Sequence, residues 1–168
     1  LKLLIKSLIE RDVRLSLDAS ALRKEILPVI KGKNVLVTPH PGEFERLFGE
    51  KIPIDKKTRI SIIEKHAKKN LLTIMLKGSD DIISDGSKTL INSKKTPAMT
   101  VGGTGDVLSG IAASMLSRNR NVMEAAASAV FLNGQAGKTV QKQFGMHMIA
   151  SDLIDALPTV SKIFDRIK

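Results

Sequence analysis

The chain has 168 residues, of which 42% are hydrophobic and 26% charged, a composition typical of one globular domain. The absence of cysteine excludes disulfides, thiolate catalysis and cysteine-bound metals, and no apolar run approaches the roughly 18 residues of a membrane span. The formal charge of +10 can attract nucleic acid, but the basic residues are scattered and only 3% of the chain is aromatic, so an anionic small ligand explains it equally well.

The N-terminal part of the chain alternates strands and helices. Residues 13–17 alternate apolar and polar side chains, as a short strand does, and Asp18 follows at the strand's carboxyl end. Ser20 is a suitable N-cap for a helix through about residue 30, which is expected to be interrupted near Pro28. Residues 35–38 are apolar and β-branched, which is typical of a strand buried in a parallel sheet. Strand, helix and strand in this order predict the α/β class.

The loop after this second strand carries a candidate ligand-binding histidine. Pro39 and Pro41 flank His40 and restrict the backbone, while Gly42 and Glu43 read as the start of a helix. In open α/β sheets, ligands bind beyond the carboxyl ends of the strands. We therefore favour a ligand role for His40 over that of an ordinary surface histidine.

A second pair of helix and strand leads to a lysine and a glycine. Residues 56–70 have helical spacing, residues 71–76 form an apolar strand, and residues 82–92 have the pattern of a hairpin. Lys77 and Gly78 stand at the strand's carboxyl end. Two interpretations stay open, because this pair could place an ammonium and a bare backbone near phosphates or could simply form a turn.

The most informative segment is a glycine-rich loop, Gly-Gly-Thr-Gly-Asp, at residues 102–106. It opens onto an apolar helix, and the N-terminus of a helix presents unpaired N–H groups and a positive dipole to an anion. Asp106 lies in the first turn of that helix. Its carboxylate suits two roles, that of a helix cap and that of a catalytic base beside a phosphate.

The C-terminal part of the chain has helical patterns without obvious chemistry. Residues 122–142 form a helix with many small side chains, which favour close packing. Ser151 is a suitable cap for a further helix, and Pro158 is predicted to start the last one. His66, on a helix face predicted to be exposed, and His147, in a loop, have no expected ligand role.

Four sequence blocks, taken in order and spacing, resemble one enzyme family. They are the Asp-Ala-Ser of residues 18–20, the Thr-Pro-His-Pro-Gly-Glu-Phe of residues 38–44, the Leu-Lys-Gly of residues 76–78 and the loop of residues 102–106. The chain is similar to the ADP- or ATP-dependent NAD(P)H-hydrate dehydratases of the ribokinase-like superfamily. The resemblance implies a three-layer α/β/α sandwich with a mostly parallel central sheet. It also implies one domain over residues 1–168, expected to lack the strands with which family members begin.

The resemblance implies a repair reaction on hydrated NADH or NADPH, known as NADHX and NADPHX. A nucleotide phosphorylates the hydroxyl group of the damaged nicotinamide ring, and loss of phosphate restores the double bond. ADP or ATP is the co-substrate, and Mg²⁺ is expected with it. The phosphates and water supply hard oxygen ligands, so no protein metal ligand is predicted.

The resemblance also assigns roles to individual residues. Asp106 matches the acidic residue that contacts the substrate hydroxyl and is the expected catalytic base, and His40 matches a histidine that contacts the hydrated dinucleotide. Backbone N–H groups around the loop would form an anion hole at Gly103, Thr104 and Gly105. The nucleotide-binding residues would be Lys77, Gly78, Ser79, Asp80, Asp81 and Gly105. Asp18 is expected near the substrate but receives no specific role.

Two other functions remain compatible with these residues. A ribokinase-like kinase for a vitamin precursor or a sugar alcohol would use the same loop, although the Pro-His-Pro-Gly-Glu block favours the dehydratase. A nucleotide-binding module without catalysis is the other alternative. We expect a homo-oligomer, and an epimerase as partner or fused domain. We expect a cytoplasmic location, with neither nucleic acid nor membrane as partner.

Overall fold

A five-stranded sheet forms the centre of the computed structural model, which describes residues 1–93, 96–119 and 121–164. The strands are adjacent in chain order, and β1 pairs with β2 and β2 with β3 in parallel. The hairpin formed by β4 and β5 then continues the sheet in antiparallel fashion from β3. The strands are β1 (Leu15–Leu17), β2 (Val35–Val37), β3 (Thr73–Leu76), β4 (Asp81–Ser84) and β5 (Thr89–Asn92).

Seven α-helices accompany this sheet in the described part of the chain. They are α1 (Lys2–Glu10), α2 (Leu27–Ile30), α3 (Pro41–Phe48), α4 (Lys56–Asn70), α5 (Thr104–Arg118), α6 (Val122–Phe144) and α7 (Ala150–Ser161). Short 3-10 turns precede α2 and α5. Within the described residues, none of the helices has the length and apolar character needed to cross a bilayer.

The helices cover both faces of the sheet. Successive side chains of a strand point to opposite faces. Val37 and Ile74 therefore pack with α1 to α4 on one face, whereas Leu36 and Met75 pack with α5 and α6 on the other. Since both faces of the central strands are buried, β2 and β3 carry mainly apolar side chains without polar alternation. The three-layer α/β/α sandwich is confirmed.

Several predicted elements are confirmed, and one predicted helix is wrong. The helix α4 has the predicted bounds, and the hairpin of β4 and β5 follows the predicted turn. No continuous helix spans residues 20–30, where two 3-10 turns lead into the short α2 instead. The cap is also different, because the Asp18 carboxylate accepts the N–H of Ala19 at 2.9 Å. A long helix would place Pro28, which lacks an N–H, in its interior; the structure puts it in the first turn of α2.

Two further predictions about helices are corrected. Pro158 lies inside α7 rather than starting a new helix, and α7 ends three residues later at Ser161. Ser151 is not the N-cap, since Ile149 precedes the helix and its N–H donates to the Asp152 carboxylate at 2.8 Å. His66 is only 6% exposed rather than facing solvent, and its Nε2 lies 2.7 Å from the Glu50 carboxylate.

Candidate active site

Three parallel strands end at the same edge of the sheet, and their carboxyl ends are joined by direct contacts. Asp18 follows β1 and Lys77 follows β3, and the Lys77 ammonium lies 2.5 Å from the Asp18 carboxylate. The backbone N–H of Lys77 donates to the carbonyl of Pro39, just after β2, at 2.7 Å. The sheet thus brings together residues that are far apart in sequence.

A second carboxylate, that of Glu43, also faces the Lys77 ammonium, at 3.7 Å. All three side chains are largely shielded from water, with exposed fractions of 15% for Lys77, 11% for Asp18 and 8% for Glu43. In such surroundings an unpaired charge is costly, so the two carboxylates fix the position of the ammonium. We call Asp18, Glu43 and Lys77 the strand-end ion cluster.

The strand-end ion cluster lies against the first turn of α5. A Cβ atom placed on Gly105 would be 3.6 Å from the Lys77 ammonium. Gly103, the N-cap of α5, has a φ of +88°, which favours glycine, and it has no side chain to cap the helix. The first N–H groups of a helix have no intrahelical acceptor. The N-terminus of α5 therefore meets the Lys77 ammonium, which is itself paired with Asp18 and Glu43, at one place.

Thr104, the first residue of α5, uses its side chain to hold the glycine loop. Its hydroxyl lies 2.9 Å from the carbonyl oxygens of both Met99 and Val101. The side chain is therefore engaged with the preceding segment. Any contribution of Thr104 to the predicted anion hole would therefore come from its backbone N–H and not from its hydroxyl.

Asp106 lies in the same turn of α5, is exposed, and lines a cleft of about 510 Å³ between α5, α6 and α7. The cleft walls are mainly apolar and include Val107, Ile111, Leu132 and Leu157. The carboxylate therefore adjoins both the anion-binding turn and an apolar cavity. This is the arrangement expected of a base that acts on a hydroxyl next to a phosphate.

His40 is the N-cap of α3, and its ring is oriented by that role. Its Nδ1 accepts the backbone N–H groups of Gly42 at 3.0 Å and Glu43 at 3.3 Å, while the Glu43 carboxylate accepts the N–H of His40 at 2.8 Å. An accepting Nδ1 carries no proton, so in the neutral ring the proton lies on Nε2. The side chain is 56% exposed, and Nε2 lies 3.3 Å from Glu43. The Nε2 proton thus faces the Glu43 carboxylate, and a ligand at this exposed ring would have to share or replace that contact.

The turn after Lys77 places the predicted nucleotide-binding residues in different surroundings. Ser79 is exposed, whereas Asp81 is fully buried and its carboxylate accepts the N–H of Gly78 at 3.4 Å. Asp80 lies 2.7 Å from the ammonium of Lys56 on α4. The hydrogen bond from Lys56 keeps the pKa of Asp80 below its usual value, with help from Ser93. Of these side chains, only that of Lys77 lies beside Gly105. The Asp81 carboxylate instead holds the turn through its hydrogen bond from Gly78.

Sequence reasoning missed two contributors to this site and left a third, Asp18, without a role. Asp18 had no assigned role and Glu43 was interpreted only as the start of a helix, yet both face Lys77. Arg59 of α4 was not considered, and its guanidinium would lie 3.8 Å from a Cβ on Gly78. A carboxylate at a strand end was a usable signal for Asp18. Nothing in the basic start of α4 distinguishes Arg59 from its neighbours.

The residues at this edge do not assemble a protein metal site. Across residues 1–93, 96–119 and 121–164, there is no group of three or more acidic or histidine side chains able to hold a metal ion. The nearest candidates, Asp18 and Glu43, are engaged by Lys77 and by the cap of α3. A metal ion here would need its ligands from a bound phosphate and water.

The three-layer sandwich, with a glycine-rich loop beyond the carboxyl ends of parallel strands, places the chain in the ribokinase-like class. A ribokinase-like superfamily protein from Enterococcus faecalis superimposes with a TM-score of 0.79 and 26% identity, over 99% of this chain and 59% of that one. The sequence model of the NAD(P)H-hydrate dehydratase family matches residues 1–159, and the chain belongs to this family.

Individual relatives agree with this assignment. The ADP-dependent (S)-NAD(P)H-hydrate dehydratase of Nitrosopumilus maritimus is 58% identical over 164 residues, which are 98% of this chain and 57% of that protein. The ADP/ATP-dependent NAD(P)H-hydrate dehydratase of Bacillus subtilis, co-crystallised with ATP and Mg²⁺, superimposes with a TM-score of 0.81 and 32% identity, over 94% of this chain and 57% of that one. The chain thus spans less than two thirds of the length of each of these proteins.

Proposed function

We propose that the chain carries the catalytic site of a nucleotide-dependent NAD(P)H-hydrate dehydratase. The enzyme would use ADP or ATP to convert NADHX or NADPHX back to NADH or NADPH. One observation carries the proposal: the Asp106 carboxylate lies in the same helical turn that faces the Lys77 ammonium through Gly105. A base and an anion-binding surface in one place are what phosphoryl transfer to a hydroxyl group requires.

In the proposed reaction, Asp106 accepts the proton of the ring hydroxyl. At the same time, the hydroxyl oxygen takes the terminal phosphoryl group from the nucleotide. The ring C–O bond then breaks, and its electron pair leaves with the phosphate. The neighbouring carbon gives up a proton to water, and the electron pair of that C–H bond forms the double bond of the dihydronicotinamide. Lys77 and the N–H groups at Gly103, Thr104 and Gly105 stabilise the charge on the moving phosphoryl group. His40 would donate from Nε2 to the hydrated dinucleotide.

The nucleotide would lie along the turn of Gly78, Ser79, Asp80 and Asp81. Mg²⁺ would enter with the phosphates, whose oxygens it prefers, and would neutralise part of their charge. No step is assigned to a protein-bound metal, in keeping with the carboxylates already engaged by Lys77. One domain over residues 1–168, a homo-oligomeric assembly, an epimerase partner or domain, and a cytoplasmic location remain parts of the proposal.

A small-molecule kinase is the second candidate, because the same base and anion-binding turn suffice for phosphorylation without elimination. The two functions differ in their product. Incubation of NADHX with ADP or ATP should restore the absorbance of NADH if the chain is a dehydratase. A stable phosphorylated product without NADH would favour the kinase.

The variant Asp106→Asn separates catalysis from binding. We expect turnover to fall by about 10²–10⁴-fold, the usual contribution of a general base, while ADP still binds because the N–H groups are unchanged. Calorimetry with ADP and the NADH absorbance assay measure the two quantities. Normal turnover in Asp106→Asn would show that Asp106 is not the catalytic base. ADP binding without turnover in the unmodified chain would favour the non-catalytic module.

A further inference from the structure

A methionine just before the glycine loop rests directly on a glycine of α6. Met99 closes the 3-10 turn Pro97–Met99, and Gly137 lies in the second half of α6. A Cβ placed on Gly137 would overlap Sδ of Met99 and lie 2.9 Å from its Cγ and 3.1 Å from its Cε. Carbon atoms in contact are separated by about 3.5–4.0 Å. With Met99 in this position, only glycine fits at residue 137.

The surroundings of Met99 leave little room for its side chain to move aside. Met99 is 7% exposed and belongs to a buried cluster between α6 and α7. The other buried members are Ala98, Ala136, Val140, Met148, Leu153 and Val160. Because protein interiors are close-packed, a rotation of Met99 away from Gly137 would meet other side chains. A group added at residue 137 must displace the Met99 side chain, and because this cluster encloses that side chain, we expect part of the displacement to reach the Met99 backbone.

The backbone of Met99 is joined to the start of α5. Its carbonyl oxygen lies 2.9 Å from the Thr104 hydroxyl, and its N–H donates to the carbonyl of Thr96 at 3.0 Å. Thr104 in turn is followed by Gly105, against which the Lys77 ammonium lies. A displacement at Met99 therefore reaches the anion-binding turn through one side-chain hydrogen bond.

We propose that Gly137 is a positioning residue for the glycine loop. Because Gly137 has no side chain, Met99 can pack directly against α6, and this contact fixes the distance between the glycine loop and α6. The position of Met99 in turn determines that of Thr104 and Gly105. The inference rests on the proposed function, because the loop is the surface that binds the nucleotide phosphates there.

The test compares Gly137→Ala with the double variant Gly137→Ala/Met99→Ala. The single variant should expose the amides of residues 100–106 to faster hydrogen exchange and weaken ADP binding. Its kcat should fall by about 100-fold, the loss expected from a displacement of about 1 Å at a reacting group. The double variant removes the clashing methionine and should recover a large part of each loss. Gly110→Ala is the control for exchange, since a Cβ there meets nothing described within 4 Å.

Several outcomes would overturn the inference. Unchanged exchange at residues 100–106 in Gly137→Ala would mean that Met99 moves aside without moving the loop. A double variant as impaired as the single one would mean that another contact is responsible. If Gly137→Ala does not fold, Met99→Ala replaces it, and slow exchange of residues 100–106 in that variant would contradict the role of Met99. Failure of the unmodified chain to bind ADP would instead refute the proposed function. The two failures can be distinguished, because the exchange measurement needs no ligand.

Discussion

At the scale of single residues, Lys77 is the group on which the site depends. Its ammonium contacts Asp18 at 2.5 Å and Glu43 at 3.7 Å, and it faces the start of α5. Sequence patterns predicted Lys77, His40 and the glycine loop, because strand ends and glycine density are local features. They could not predict the partners of Lys77, since Asp18 lies 59 positions earlier and meets it only through strand pairing.

Replacement of Lys77 should be far more damaging than replacement of an exposed lysine. In Lys77→Met, two shielded carboxylates lose their counter-charge, and we expect a loss of about 3 kcal/mol in the free energy of unfolding. The control is Lys56→Met, which removes a contact of 2.7 Å to Asp80 from a side chain that is 53% exposed. Exposed pairs contribute at most about 1 kcal/mol. Urea unfolding measures the free energy of unfolding of both variants. Equal losses would show that the strand-end ion cluster contributes no more to stability than an exposed ion pair.

At the scale of elements, the sequence predicted what periodicity controls and missed what long-range packing controls. The approximate bounds predicted for α4 from its apolar spacing are confirmed, and Asp55 caps the helix in the structure. The helix predicted over residues 20–30 was wrong because two 3-10 turns precede α2, although an interruption near Pro28 was expected. The contact between Met99 and Gly137 has no sequence signature, because small residues in a helix indicate close packing without naming the partner.

The hairpin of β4 and β5 depends on a close approach to α4. Gly86 has a φ of +86°, and a Cβ there would lie 2.5 Å from the backbone of Lys68. Gly49 has a similar φ of +74°, with no described atom within 4 Å of the added Cβ. Gly49→Ala should lose about 1–2 kcal/mol of stability from backbone strain alone. Gly86→Ala should lose about 1–3 kcal/mol more from overpacking. Thermal unfolding compares them, and equal losses would argue against the clash.

A carboxylate between α3 and α4 should make stability depend on pH. Hydrogen bonds from Lys65 and then His66 hold the pKa of Glu50 below its ordinary value of 4.5, against the opposing effect of burial. A lowered pKa means that the ionised form favours the folded state. This contribution is complete above pH 4.5 and is lost as the pH falls through the lowered pKa of Glu50.

The variant Glu50→Gln tests this dependence. The unmodified chain should exceed it in the free energy of unfolding above pH 4.5, and the difference should shrink as the pH falls further. Glu10→Gln is the control, since Glu10 is 62% exposed and lies 3.8 Å from Lys6, and its effect should be small throughout. Urea unfolding at several pH values provides the measurement. A difference for Glu50→Gln that stays constant across this range would contradict the assignment.

At the scale of the whole molecule, the candidate site joins two layers of the sandwich. Lys77 and the turn of residues 78–81 extend from the sheet, whereas Gly103, Gly105 and Asp106 belong to the layer of α5, α6 and α7. These layers have separate sets of apolar contacts on the two faces of the sheet. The α/β class followed from the order of elements. The contact between Lys77 at the edge of the sheet and the start of α5 could be seen only in the folded structure.

A bound nucleotide should therefore stabilise the molecule through its phosphates rather than its base. ADP at about 100 times its Kd should raise the free energy of unfolding by about 2.7 kcal/mol, the value for a ligand that binds only the folded state. Adenosine lacks the phosphates that the Lys77 ammonium and the N-terminus of α5 would attract, so it should stabilise far less at the same concentration. Protection from hydrogen exchange with ADP should appear at residues 78–81 and at residues 103–106 together. Equal stabilisation by adenosine and ADP, or protection of only one of these segments, would mean that the phosphates do not lie between sheet and helix.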